Sequence, residues 1–233
     1  MKLLPFFFSL YFLAMLADAK PGEIRIDEEK KYEEYQDIKK ALDNTDRRSW
    51  MYYRTYSRQT NGAQHMCVYA RVGEKNEEGN TYNFEQGYTI LNEGEKKEVK
   101  LALLATTYKT ENRPDRKKHN AMKVTKKSGG SNGKGYQLIY SDYGCCDVLR
   151  VLEEERGAAC ELYLHDNCVD QPVPKTCAHL YGNACGTDDS FKKQVYNKNC
   201  KNTTEEETSK EPPPEAPESP KETTTTSTLP PGC

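Results

Sequence analysis

From Ser49 to Leu164 the chain alternates between apolar and polar residues eight times over, and a chain patterned in this way has few ways to fold. Trp50, Tyr52, Arg54 and Tyr56 alternate with Met51, Tyr53 and Thr55. Met66, Val68, Ala70 and Val72 share a face, as do Tyr82, Phe84, Gln86, Tyr88 and Ile90, then Val99, Leu101, Leu103, Ala105 and Thr107. Shorter runs follow at Ala121 to Thr125, Tyr136 to Tyr140, Cys146 to Leu152 and Ala159 to Leu164. A period of two marks strands with one buried face. The breaks between them are turn-rich, such as Asn92-Glu-Gly94, Arg113-Pro114-Asp115 and Gly129-Gly130-Ser131-Asn132-Gly133. Eight strands joined in this way form an antiparallel meander, and closing it into an up-and-down barrel removes both edges, which a sandwich leaves open. The expected fold is therefore mainly β, an eight-stranded antiparallel barrel. Ahead of it, Tyr32, Tyr35, Ile38 and Leu42 recur at steps of three and four and predict one amphipathic helix between Asp27 and Arg48. Behind it the chain turns through Pro172 and Pro174, and Asp188 to Asn199 is expected to form a short helix on the outside.

Nine cysteines in a chain only 35% apolar imply either zinc or an oxidising compartment where disulfides supplement a modest core. The first nineteen residues favour the second. Lys2, the apolar run Leu3 to Leu16 and the small-x-small site Ala17-Asp18-Ala19 read as a secretory signal peptide, too short a run to span a bilayer comfortably. Residues 201–233 form a second break in composition, with Pro212-Pro213-Pro214, Thr223 to Thr226 and few apolar residues, and are expected to be a disordered, mucin-like tail. Asn202-Thr203-Thr204 is the one N-glycosylation sequon. The globular domain expected from these breaks is residues 20–200, secreted and soluble, with no membrane partner.

Most chemistry that these residues might suggest has a plainer reading. Cys177 and His179 lie close, but zinc sites show a second matched pair, which the cysteine spacings lack. The glycine-rich segment 129–135 has Gly135 where a phosphate loop needs a hydroxyl, and reads as a hairpin tip. Arg113, Arg116, Lys117, Lys118 and His119 form a solvated basic turn. No serine-elbow or zinc-protease motif occurs, and a net charge of −2 excludes a strongly basic nucleic-acid binder. An enzyme is not expected, nor a cofactor or metal. Asp147 and Glu161 are the informative pair. With the turn between the last two strands centred near Glu154, positions summing to about 308 face each other, so the two carboxylates lie opposite. Inside a barrel that pair would call for a cation. Alternatively the face points to solvent as a wet acidic patch, or the register slips by one residue.

The segment Tyr140-Ser141-Asp142-Tyr143-Gly144-Cys145-Cys146-Asp147-Val148, then Cys160-Glu161-Leu162-Tyr163, then Cys177, resembles the tick salivary lipocalins known as histamine-binding proteins. That family's pattern is Cys-Asp-[Val/Ile/Leu], then Glu-Leu-[Trp/Tyr], then Cys, and the gaps here are 12 and 13 residues. The likeness runs from about Tyr35 to Cys200. It implies a barrel whose cavity sequesters small host mediators, typically histamine or serotonin. By position Asp147 and Glu161 match the acidic ligands of the amine, Tyr163 its aromatic wall, and Tyr56, eleven residues before Cys67, a cavity tyrosine. Tyr136 stands where amine binders of the family can carry a further acid, so one pocket is expected rather than two. Lys39 occupies the position of the family's helix tryptophan. Disulfides Cys67 with Cys200 and Cys146 with Cys177 follow from the family pattern; Cys160 with Cys185 is taken as a third, which leaves Cys145 for Cys168. Cys233 is unpaired in this scheme. The function implied is a secreted, monomeric amine scavenger binding at about 1 to 10 nM. The alternatives are a lipid-mediator scavenger for leukotrienes or fatty acids, and a protein-interaction module blocking complement or haemostasis.

Overall fold

The period-two runs become a single antiparallel sheet that closes on itself. The structure, a computed structural model, describes residues 25–92, 94–129 and 133–201. The leader, the Asn202 sequon, Cys233 and the tail lie outside the described residues. By its internal contacts the chain forms two units, Met1–Lys198 and Asn199–Cys233, and of the second only the helical residues 199–201 are described.

The strands are β1 (Arg48–Arg54), β2 (Gln59–Thr60), β3 (Ala63–Gln64), β4 (Met66–Lys75), β5 (Thr81–Asn92), β6 (Glu95–Tyr108), β7 (Ala121–Lys126), β8 (Lys134–Ser141), β9 (Cys146–Val151), β10 (Cys160–His165) and β11 (Lys193–Gln194). β1 pairs with β4, each strand from β4 to β10 pairs with the next, and β10 returns to β1 through Trp50↔Leu164 and Met51↔Tyr163. The eight-stranded barrel expected from the alternation is thus closed, and its ladder has no free edge among these strands. β2 and β3 form a separate small hairpin, and β11 adds to β1 on the outside.

Both faces of β9 and β10 are buried. Leu149, Val151 and Tyr163 point into the core, while Val148, Leu162 and Leu164 face outward and are still sealed from solvent. The cover is α2 (Lys175–Cys185), held by the disulfides Cys146–Cys177 and Cys160–Cys185. Cys145 is bridged to Cys168, and Cys67 and Cys200 are each disulfide-bonded. The N-terminal segment adds a buried ion pair on the same outer face, with Asp27 Oδ2 2.9 Å from Arg150 Nε.

Four expectations about local structure need correction. The long helix between Asp27 and Arg48 is broken into 3-10 turns at Ile26–Glu28 and Lys30–Tyr35 and a short helix, α1 (Ile38–Leu42). Tertiary bonds take the backbone groups that a continuous helix would need: Asp37 N donates to Tyr143 Oη and Ile38 N to His119 O. Buried Gln36 donates to Ile139 O, and Asp37 caps α1 by accepting from Lys40 N. The C-terminal helix lies at α2, where Cys177, Leu180, Tyr181 and Cys185 make one buried stripe, and not at Asp188 to Asn199. Gly186 ends α2 at φ +114°, and a Cβ there would meet the Phe191 ring at 2.4 Å. The chain then makes one 3-10 turn, Asp189–Phe191, and enters β11.

In β1 the strict alternation fails at a bulge between Met51 and Tyr53, which turns Met51 and Arg54 inward while Trp50 faces outward under Tyr69 and Tyr196. In the β9–β10 turn, Glu155, Arg156 and Gly157 take left-handed conformations and move its centre one residue on. Asp147 therefore faces Tyr163, and Glu161 faces Leu149. The two acids share the inner face one ladder step apart instead of lying directly opposite.

Candidate functional site

The barrel encloses a cavity of about 340 Å³. Ile38, Ala41 and Leu42 of α1 close it at the end where β1 begins and β10 finishes. Aliphatic and aromatic side chains such as Val72, Phe84, Leu103 and Met122 line its middle, and Arg58, Lys126 and Lys134 lie at the opposite end. Lys134 is paired there with Glu154.

Asp147 enters the cavity at the α1 end. Its Oδ2 lies 3.1 Å from His165 Nε2, while its Oδ1 is buried and has no hydrogen-bond partner among the described residues. A carboxylate oxygen without a partner is costly in an apolar site. His165 is 4% exposed, and its Nδ1 lies 3.3 Å from the Asp46 carbonyl. Burial favours the neutral ring, yet the hydrogen bond and charge of Asp147, with Asp46, outweigh it and raise the pKa.

Glu161, one ladder step along the same inner face, and Tyr56 lie in the core and are not among the cavity-lining residues. Tyr56 Oη donates to Glu161 Oε1, and Tyr163 Oη donates to Oε2 at 3.1 Å. Burial raises the Glu161 pKa, against the two phenols, Arg58 and Lys134, which favour the charged form. The Tyr56, Tyr136 and Tyr163 phenols are in turn pushed up by burial and by Glu161. Of the residues singled out in the sequence, Asp147, Tyr163 and Tyr136 come together on the cavity wall.

Two residues of the site carried no motif. His165 follows Glu161 and Tyr163 at the same period of two, which is the signal that would have found it. Arg58 lies beyond the β1 bulge, where no periodicity reaches. Arg54 positions that segment by donating from Nη2 to His65 O at 3.0 Å and to Arg58 O at 3.3 Å. His65 stacks on Tyr88 at 4.0 Å, and burial, then Arg58 and Arg54, lower its pKa to about 4. Among the described residues one group has metal-ligand proximity, Asp142, Cys146 and Cys177, and its two sulfurs are bonded to each other.

Solved structures show distant similarity to the chain. Japanin from Rhipicephalus appendiculatus, bound to cholesterol, is 15% identical over 60% of this chain and 88% of its own, with a TM-score of 0.45. Lobster apocrustacyanin A1 is 12% identical over 78% and 93%, with a TM-score of 0.46. Insecticyanin from the tobacco hornworm Manduca sexta is 11% identical over 65% and 79%, with a TM-score of 0.41. No curated protein matches the sequence significantly. The family model described as tick histamine binding protein matches residues 26–202, nearly the whole of the barrel and its closing segment, and so the chain belongs to the tick histamine-binding protein family, lipocalins that carry small ligands and are not enzymes.

Proposed function

We propose that this protein is secreted and captures small biogenic amines, with Asp147 taking the ammonium group. The observation that carries this reading is the buried, unpartnered Asp147 Oδ1 on the wall of an otherwise largely apolar cavity. An ammonium donates three hydrogen bonds and gives Oδ1 the donor it lacks, and the Tyr163 and Tyr136 rings beside it offer aromatic faces to the rest of the guest. Glu161 acts indirectly, holding the Tyr163 phenol in place. Secretion is supported by eight oxidised cysteines, which persist in oxidising compartments.

A second reading has one observation in its favour. Arg58 lines the cavity at the end far from Asp147, and among the described residues its guanidinium makes no hydrogen bond or ion pair; it would suit the carboxylate of an acidic lipid. Calorimetric titration with histamine, serotonin, a leukotriene and a fatty acid separates the two. The amine reading expects an amine to bind below micromolar, and Asp147→Asn to weaken it about 100-fold, as loss of a buried charge partner does. It is overturned if no amine binds in that range, or if the variant binds as tightly as the native chain.

A further inference from the structure

Asp147 already has a basic side chain beside it. His165 lies on the inner face of β10, and its ring is held between two oxygens. Nε2 is 3.1 Å from Asp147 Oδ2, and Nδ1 is 3.3 Å from the Asp46 carbonyl, which can only accept. A neutral imidazole carries one N–H, so donating to both oxygens requires both ring nitrogens to be protonated. The charged groups facing the ring are Asp147 from β9 and Asp46 from the segment leading into β1. The Tyr143 phenol lies near Asp147 from the β8–β9 turn. From the same segment as Asp46, Asn44 Nδ2 stands 3.5 Å from Nε2.

We propose that amine capture at Asp147 is coupled to loss of the His165 proton, so that ammonium and imidazolium compete for one carboxylate. The inference rests on the amine reading above. A second cation entering a site nearly sealed from water would be repelled by the first, and little solvent is present to screen it. Imidazole is the side chain that gives up its proton most easily near neutral pH. The neutral ring also has its partners in place: Nδ1–H keeps the Asp46 carbonyl, and Nε2 becomes an acceptor for the Asn44 amide. The guest enters as an ammonium ion, the Nε2 proton leaves to solvent, and the charge of the site is unchanged. His165 is in this sense a specificity-determining residue, since a neutral guest would leave the imidazolium–carboxylate pair intact and gain nothing from Asp147.

Serotonin is the probe to use, because its amine stays charged across neutral pH, whereas histamine carries an imidazole of its own that titrates there. Titrating the native chain with serotonin below the pH of the His165 transition, in two buffers of different ionisation enthalpy, should show about one proton released per ligand bound. As pH falls through the His165 transition, the dissociation constant should rise about tenfold per pH unit. His165→Gln should remove both the proton release and the pH dependence; if that variant does not fold, the two-buffer titration of the native chain decides alone. Binding without proton release, with a flat pH profile, overturns the coupling and leaves the amine reading standing. Failure to bind serotonin or any other amine between pH 5 and 9 overturns both.

Discussion

Glu161 shows what burial does to a carboxyl group whose hydrogen bonds come from phenols. It is 1% exposed, both oxygens are bonded to phenols, and its pKa lies above the usual carboxylate range because burial outweighs those bonds. A carboxyl whose pKa is raised on folding binds more protons in the folded state. Its contribution to stability is complete below the unfolded pKa and is lost as pH rises through the folded one. Glu161→Gln removes that loss, so chemical denaturation should find the variant more stable than the native chain at pH 8 and the difference smaller at pH 4.5. Tyr56→Phe acts in the opposite direction, leaving Oε1 without its donor, and should cost about 1 to 3 kcal/mol in the same assay. The motif at residues 146–163 identified both acids, but it could not tell them apart. Only their surroundings separate Asp147, on the cavity wall with one oxygen unpartnered, from Glu161, with both oxygens satisfied.

Strands were more legible than helices. Each of the eight alternating runs became a strand, because a half-buried pleat demands that pattern along its whole length. The helical spacing from Tyr32 to Leu42 did not become one helix, because Gln36, Asp37 and Ile38 bond to groups more than 80 residues away in sequence, which local periodicity does not register. Register depends on similar details. Tyr69 on β4 faces Gly87 on β5, and a Cβ at Gly87 would lie 2.1 Å from the Tyr69 ring, itself packed against Trp50. Gly87→Ala should therefore cost about 1 to 3 kcal/mol by overpacking, read from the shift in denaturation midpoint at unchanged slope. α2 is attached to the barrel by sulfur as well as by packing. The Cys160–Cys185 bridge closes a 25-residue separation, and replacing both cysteines by alanine should cost about 3 to 4 kcal/mol in the chain-entropy model.

At the scale of the molecule, closure of β10 onto β1 turns a meander into a container, and a container is stabilised by what fills it. An amine at 100 times its dissociation constant should add about 2.7 kcal/mol to stability. For a chain of this size that corresponds to about 5 to 10 °C in the thermal midpoint, and Asp147→Asn should abolish the shift at the same concentration. The chain's own order of residues determined the eight strands, the antiparallel barrel, the cysteine set available for bridging and the two acids on neighbouring strands, because each follows from spacing along the chain or from local propensity. The tertiary structure alone decided which acid lines the cavity, which imidazole stands beside it and where the helices lie. Those depend on a bulge at Tyr52, a left-handed turn at 155–157 and hydrogen bonds between distant segments. Each of these changes a pairing by one residue or satisfies a backbone group from afar, and neither effect leaves a period in the sequence.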